Sequence, residues 1–75
     1  MALNATVLIK TVPSRTESVE KSAEKLNGVR KSFVAYGRCD VVVFARVRDY
    51  AEVRKLTGEI NSIEGVRSTE TLVEA

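Results

Sequence analysis

Two near-identical phrases constrain this chain more than anything else in it. Leu26–Arg30 reads LNGVR and Ile63–Arg67 reads IEGVR, 37 residues further on. Each closes a segment of helical periodicity and opens one rich in β-branched residues. Before the first phrase, Val19, Ala23 and Leu26 recur at i, i+4 and i+7, one face of a helix. Before the second, Val53, Leu56, Ile60 and Ile63 form the same stripe, and 19, 23 and 26 fall in register with 56, 60 and 63. Gly28 and Gly65 suit the left-handed stop after a last helical turn. Ser14 with Glu17, just after Pro13, and Asp49 with Glu52 have capping-box spacing at the two helix starts. The chain therefore reads as two copies of strand–helix–strand.

The strands fall at Leu3–Thr11 (LNATVLIKT), Val29–Tyr36 (VRKSFVAY), Val41–Val47 (VVVFARV) and Val66–Val73 (VRSTETLV), all dominated by β-branched and aromatic residues. The order β-α-β-β-α-β predicts a ferredoxin-like α+β sandwich with a four-stranded antiparallel sheet. Right-handed crossovers place the first and third strands in the centre. Both central strands are apolar on consecutive positions, at Val7, Leu8 and Ile9 and from Val41 to Ala45. A strand with one wet face should alternate instead. The open face of the sheet thus calls for a cover that a single copy lacks, and a second copy, sheet on sheet, is the simplest one.

Size points the same way. The chain has 75 residues, read as one domain over 1–75, and a chain this short buries only about 60% of its unfolded surface. Cys39 is the sole cysteine and there is no histidine, so neither an internal disulfide nor a closed zinc site is expected. No cofactor is expected either. Twelve basic and ten acidic residues are interspersed for a net charge of +2, without the basic block of a nucleic-acid reader. No apolar run approaches a membrane span. A lone thiol and the absence of a secretory leader pattern fit a cytoplasmic protein. General acid–base catalysis has no histidine to use and no evident carboxylate pair in an apolar pocket, so an enzyme is not expected.

The stretch YGRCDVVVFARVRDYAEVRKLTGEINSIEGVRSTETLVEA, with the opening ATVLIKTVPSRTESV, resembles the effector-binding domain of the Lrp/AsnC (feast/famine) transcription regulators. The landmarks are a G-x-x-D turn at Gly37–Asp40, the apolar strand after it and a helix led by Asp49. Gly65, Val66, Thr69 and Thr71 follow in the last strand, with Val73 for the family's final valine. The chain enters its first strand within a few residues of Met1, so the resemblance is to a stand-alone domain without the family's helix-turn-helix reader, and no direct nucleic-acid or membrane contact is expected.

The resemblance implies an amino-acid effector, bound between dimers, and assembly of four or five dimers into a ring. Full-length Lrp/AsnC regulators are the implied protein partners. It places the ligand at Tyr36, Gly37 and Asp40, with Ser68, Thr69 and Thr71 of a neighbouring copy. Asp40 would pair with the ammonium, Gly37 would let the backbone approach and Tyr36 would wall the side-chain pocket. Each residue also has a plainer reading. Gly37 and Asp40 suit a four-residue hairpin turn, with Asp40 closing it through an Asx-type bond to its own backbone. Tyr36 and Tyr50 suit packing with a wet hydroxyl, and Ser68, Thr69 and Thr71 are ordinary edge-strand residues. The helix charges suit a solvated face with some i,i+4 pairing. Two other functions stay open: an oligomer former that takes no ligand, and a small dimeric ferredoxin-like enzyme.

Overall fold

The computed structural model describes residues 2–74. Strand β1 (Leu3–Thr11) leads through a 3-10 turn at Pro13–Arg15 into helix α1 (Thr16–Glu24). Strands β2 (Val29–Val34) and β3 (Val41–Val47), helix α2 (Tyr50–Asn61) and strand β4 (Val66–Val73) complete the chain. The antiparallel sheet runs β2-β3-β1-β4, so β1 and β3 are central as expected. This is the ferredoxin-like α+β fold.

Alternation along the central strands builds the core. Ala5, Val7, Ile9 and Thr11 of β1 and Val41, Val43, Ala45 and Val47 of β3 point under the helices and are buried. Val19 and Ala23 of α1 and Leu56 and Ile60 of α2 close over the strand residues, while Leu26 and Ile63 pack at its edge. Burying each of the valine, leucine and isoleucine side chains stabilises the fold by about 1.5–3 kcal/mol. Gly28 and Gly65 stop the helices at φ +91° and +102°, as the repeat requires. At Gly65 space matters as well, because an added Cβ would lie 2.5 Å from Cβ of Arg15.

The opposite face of the sheet carries two cross-strand rows: Phe33–Val42–Leu8–Glu70 and Lys31–Phe44–Thr6–Leu72. Phe33 and Phe44 meet at 5.9 Å between ring centroids, and both remain more than a third exposed, as does Leu72. The apolar residues on both faces of β1 and β3 are therefore real, and the second set faces outward.

Several expectations fail for identifiable reasons. Strand β2 stops at Val34 instead of Tyr36, because the chain leaves the ladder for the turn after the Ala35 N–H bonds the Asp40 carbonyl. The Ser14–Glu17 capping box does not form. Pro13 opens a 3-10 turn, the α-helix begins at Thr16 and no side chain caps it. Half of the second box is present: Asp49 Oδ1 accepts from the Glu52 N–H at 2.9 Å. The Glu52 carboxylate turns back to the Arg48 N–H and guanidinium instead of the Asp49 N–H. Pairing along the helix faces is also absent among the described residues. Their two ion pairs are Arg15–Glu64 and Arg48–Glu52, and Glu20 takes its bond from the Ser32 hydroxyl. Tyr36, expected to pack, is 97% exposed.

Candidate functional site

Residues 36–39 form the tip between β2 and β3, closed by the 2.8 Å bond from the Ala35 N–H to the Asp40 carbonyl. Gly37 makes the turn at φ +119°, a conformation other residues adopt only with strain. Nothing lies within 4 Å of where its Cβ would be, so the backbone alone demands glycine here.

Asp40 anchors this tip to the rest of the fold. Its N–H donates to the Ile9 carbonyl, and its Oδ2 accepts the Thr11 N–H, each at 2.8 Å. The Thr11 hydroxyl lies 3.4 Å from the same oxygen and 2.7 Å from the Thr16 hydroxyl, which also bonds the Pro13 carbonyl. The cause is a mismatch of strand ends. Pairing of β1 with β3 ends at Ile9 and Val41, whereas β1 continues to Thr11. The carboxylate replaces the missing strand partner of a nearly buried residue, since a buried N–H left unpaired costs about 1–3 kcal/mol. The expected Asx bond of Asp40 to its own turn is thus replaced by a bond to β1.

The turn divides two grooves. On the helix side, about 400 Å³ is lined by Pro13, Thr16, Glu17, Val34, Tyr36 and Asp40. On the sheet side, about 560 Å³ is lined by Leu8, Lys10, Arg38, Cys39, Ser68 and Glu70, with Thr69 at its edge. A third cleft of about 130 Å³, between α2 and the turn at Gly28, holds none of the expected site residues.

The six residues expected at the site are therefore split within one chain. Tyr36 and Asp40 share the helix-side groove and Gly37 forms the tip between the two. Ser68 and Thr69 reach the sheet-side groove. Thr71 lines neither. Its hydroxyl meets that of Thr57 at 3.2 Å beneath α2, and the Thr69 hydroxyl likewise donates to Asn61 Oδ1 at 3.2 Å. Arg38 and Cys39 of the turn line the groove with Ser68. Lys10 went unnoticed. Its signal was parity, since Thr6, Leu8 and Lys10 alternate outward along β1. Among the described residues no group of histidine, cysteine, aspartate and glutamate is placed to hold a metal, and no helix is long and apolar enough to cross a membrane.

Comparison with known proteins bears on this arrangement. No curated protein sequence matches the chain. TTHA0845 from Thermus thermophilus superposes with a TM-score of 0.93 at 31% identity, covering 97% of this chain and 92% of that one. Escherichia coli AsnC shares the fold at a TM-score of 0.86 and 20% identity, over 96% of this chain and 50% of AsnC. The feast or famine regulatory protein from Mycobacterium tuberculosis, solved in complex with L-methionine, does so at 0.80 and 23%, over 96% and 49%. This chain thus spans about half of each of those two regulators. The model of the Lrp/AsnC ligand binding domain matches residues 4–74, taking in both strand–helix–strand halves and the turn between them, and the chain belongs to that family.

Proposed function

We propose that this domain senses a small effector, an amino acid, and couples its binding to assembly. The turn Tyr36–Asp40 of one copy meets Ser68, Thr69 and Thr71 of the last strand of a neighbour, with the effector held between them. The observation that carries this reading is the separation of Tyr36 and Asp40 from Ser68 and Thr69, which line two different grooves of a single chain. A neighbouring copy would bring the halves together. Tyr36, almost wholly exposed, walls the ligand, and Gly37 leaves the tip open to its approach. Asp40 fixes the turn through Thr11 and offers its other oxygen to an ammonium.

Copies pair through the open face of the sheet. The support is Phe33, Phe44 and Leu72, exposed apolar side chains in the rows that also hold Leu8 and Val42, a surface that water disfavours. Dimers then join as rings of four or five. An effector with higher affinity for the ring than for the free dimer stabilises the ring by mass action. The domain performs no catalysis and makes no DNA contact itself. It acts in the cytoplasm through mixed assembly with full-length Lrp/AsnC regulators, or by competing with them for effector.

The experiment is calorimetric titration with the common amino acids, methionine included, alongside light scattering. Saturable binding with a ligand-dependent change in mass is expected. Binding by none of them, with no change in size, overturns the sensing role. One observation favours an oligomer former that takes no ligand: the Asp40 carboxylate already has a structural task on Thr11. That reading wins if multimers form and no amino acid binds.

A further inference from the structure

We propose that Asn27–Gly28, in the turn between α1 and β2, is a self-modifying site. The asparagine closes on the glycine nitrogen to a cyclic imide and opens to aspartate and isoaspartate, which loosens the entry to β2.

Residue identity supplies the first reason. Ring closure joins the backbone nitrogen of residue 28 to the side-chain carbon of residue 27, and glycine has no Cβ to block that approach. The chain has three asparagines and no glutamine, and only Asn27 precedes a glycine. No aspartate precedes one.

The fold supplies the second. Asn27 and Gly28 are both exposed. Among the described residues the Gly28 N–H reaches no acceptor and the Asn27 amide makes no hydrogen bond. The other two amides are held. Asn4, within the paired strand β1, donates to Glu74 at 2.7 Å. Asn61 Oδ1 accepts the Thr69 hydroxyl at 3.2 Å, and the N–H that follows it, on Ser62, bonds the Gly58 carbonyl at 3.1 Å. The matching turn of the second half lacks the reactive group. Glu64 stands there in place of Asn27, and its carboxylate pairs with Arg15.

The chemistry needs only water. The Gly28 nitrogen attacks Cγ of Asn27 and a C–N bond forms. The side-chain amide nitrogen leaves as ammonia, carrying the proton that the Gly28 nitrogen gives up. Water then adds to either imide carbonyl. One opening leaves aspartate on the original chain. The other leaves isoaspartate, whose main chain runs through the side chain and gains a methylene. Both products add a negative charge to a cleft already edged by Glu52 and Glu59, with Lys55 its sole cation. Isoaspartate also displaces Gly28, whose carbonyl accepts the Arg46 N–H at 2.8 Å just before Val29 pairs with Ala45.

Ageing the intact folded chain at physiological temperature, then trypsin digestion and mass spectrometry, tests this. Cleavage after Lys25 and Arg30 releases Leu26–Arg30 and isolates the site. That peptide should become about 1 Da heavier and separate into aspartyl and isoaspartyl forms. It should do so about tenfold faster than the peptides holding Asn4 and Asn61 change. The rate in the folded chain should lie within about tenfold of the rate in urea, since the fold ties up neither reacting group. Asn27→Gln, whose ring would be one atom larger, should keep its mass and its urea midpoint on ageing, while the midpoint of the parent falls. A Leu26–Arg30 peptide of unchanged mass, or conversion only in urea, overturns the inference. Conversion with no fall in the parent's midpoint relative to Asn27→Gln overturns the loosening of β2.

Discussion

The two halves of the chain share a plan and differ at their joints. In both, a buried aliphatic stripe leads to a glycine with positive φ and then to an edge strand. At the start of α1, no side chain caps the helix, and Arg15 lies over Gly65 and pairs with Glu64 at 3.3 Å. At the start of α2, Asp49 caps the helix, while Glu52, which occupies the repeat position of Arg15, turns away to Arg48. Glu52 lines one side of a small cleft beside Gly28 and does not cover that glycine as Arg15 covers Gly65. The repeat is thus kept where the core needs it and lost where the surface allows it. Each half secures its helix entrance by a different device.

Substitutions at matched positions can break this comparison. Gly65→Ala should cost the most, about 3 kcal/mol, combining a strained φ with a collision against backbone-fixed Cβ of Arg15. Gly28→Ala meets only Val47 Cγ1 at 3.2 Å and the Arg46 carbonyl at 3.3 Å, and should cost about 1–2 kcal/mol. Urea midpoints measure both, and equal losses would remove the asymmetry claimed for the joints. Next comes Asp40→Ala, expected to cost about 2 kcal/mol by orphaning the Thr11 N–H. Asp40→Asn should recover much of that loss, since an amide oxygen still accepts. If alanine there is harmless in the same assay, the carboxylate does not hold β1. The smallest contrast is at the caps. Asp49→Ala should lose about 1 kcal/mol, whereas Ser14→Ala should change stability by less than about 0.5 kcal/mol, as for surface positions without special contacts. A cost at Ser14 matching that at Asp49 would show a cap on α1 after all.

Much of the fold was legible because periodicity and glycine stops are local properties. Three strands match their expected limits, and the outward apolar rows were visible as consecutive hydrophobic residues in β1 and β3. The rest depended on contacts between distant residues. Pro13 and Ser14 carried the right spacing for a cap, but the 3-10 turn moved the helix start past them. In β4, Val66 and Val73 both pack toward the core although they lie an odd number of residues apart. A register shift opposite Lys10 and Thr11 makes this possible. That shift settles the placement of Ser68 on the open face and of Thr69 and Thr71 beneath α2. The same register brings Lys10 to the strand end beside Arg38, a meeting no spacing along the chain displays. Asp40 stood out in the sequence, yet its partner Thr11 did not, because that bond answers to where β3 stops relative to β1.

The chain of contacts from Asp40 through the Thr11 and Thr16 hydroxyls has a mechanical meaning. It ties the base of the β2–β3 turn to the entrance of α1 through side chains instead of strand pairing. A hairpin held in this way serves as a fixed datum rather than a flap. Anything that docks against it must bring its own adaptability, and a displacement of the tip is handed directly to the first helix.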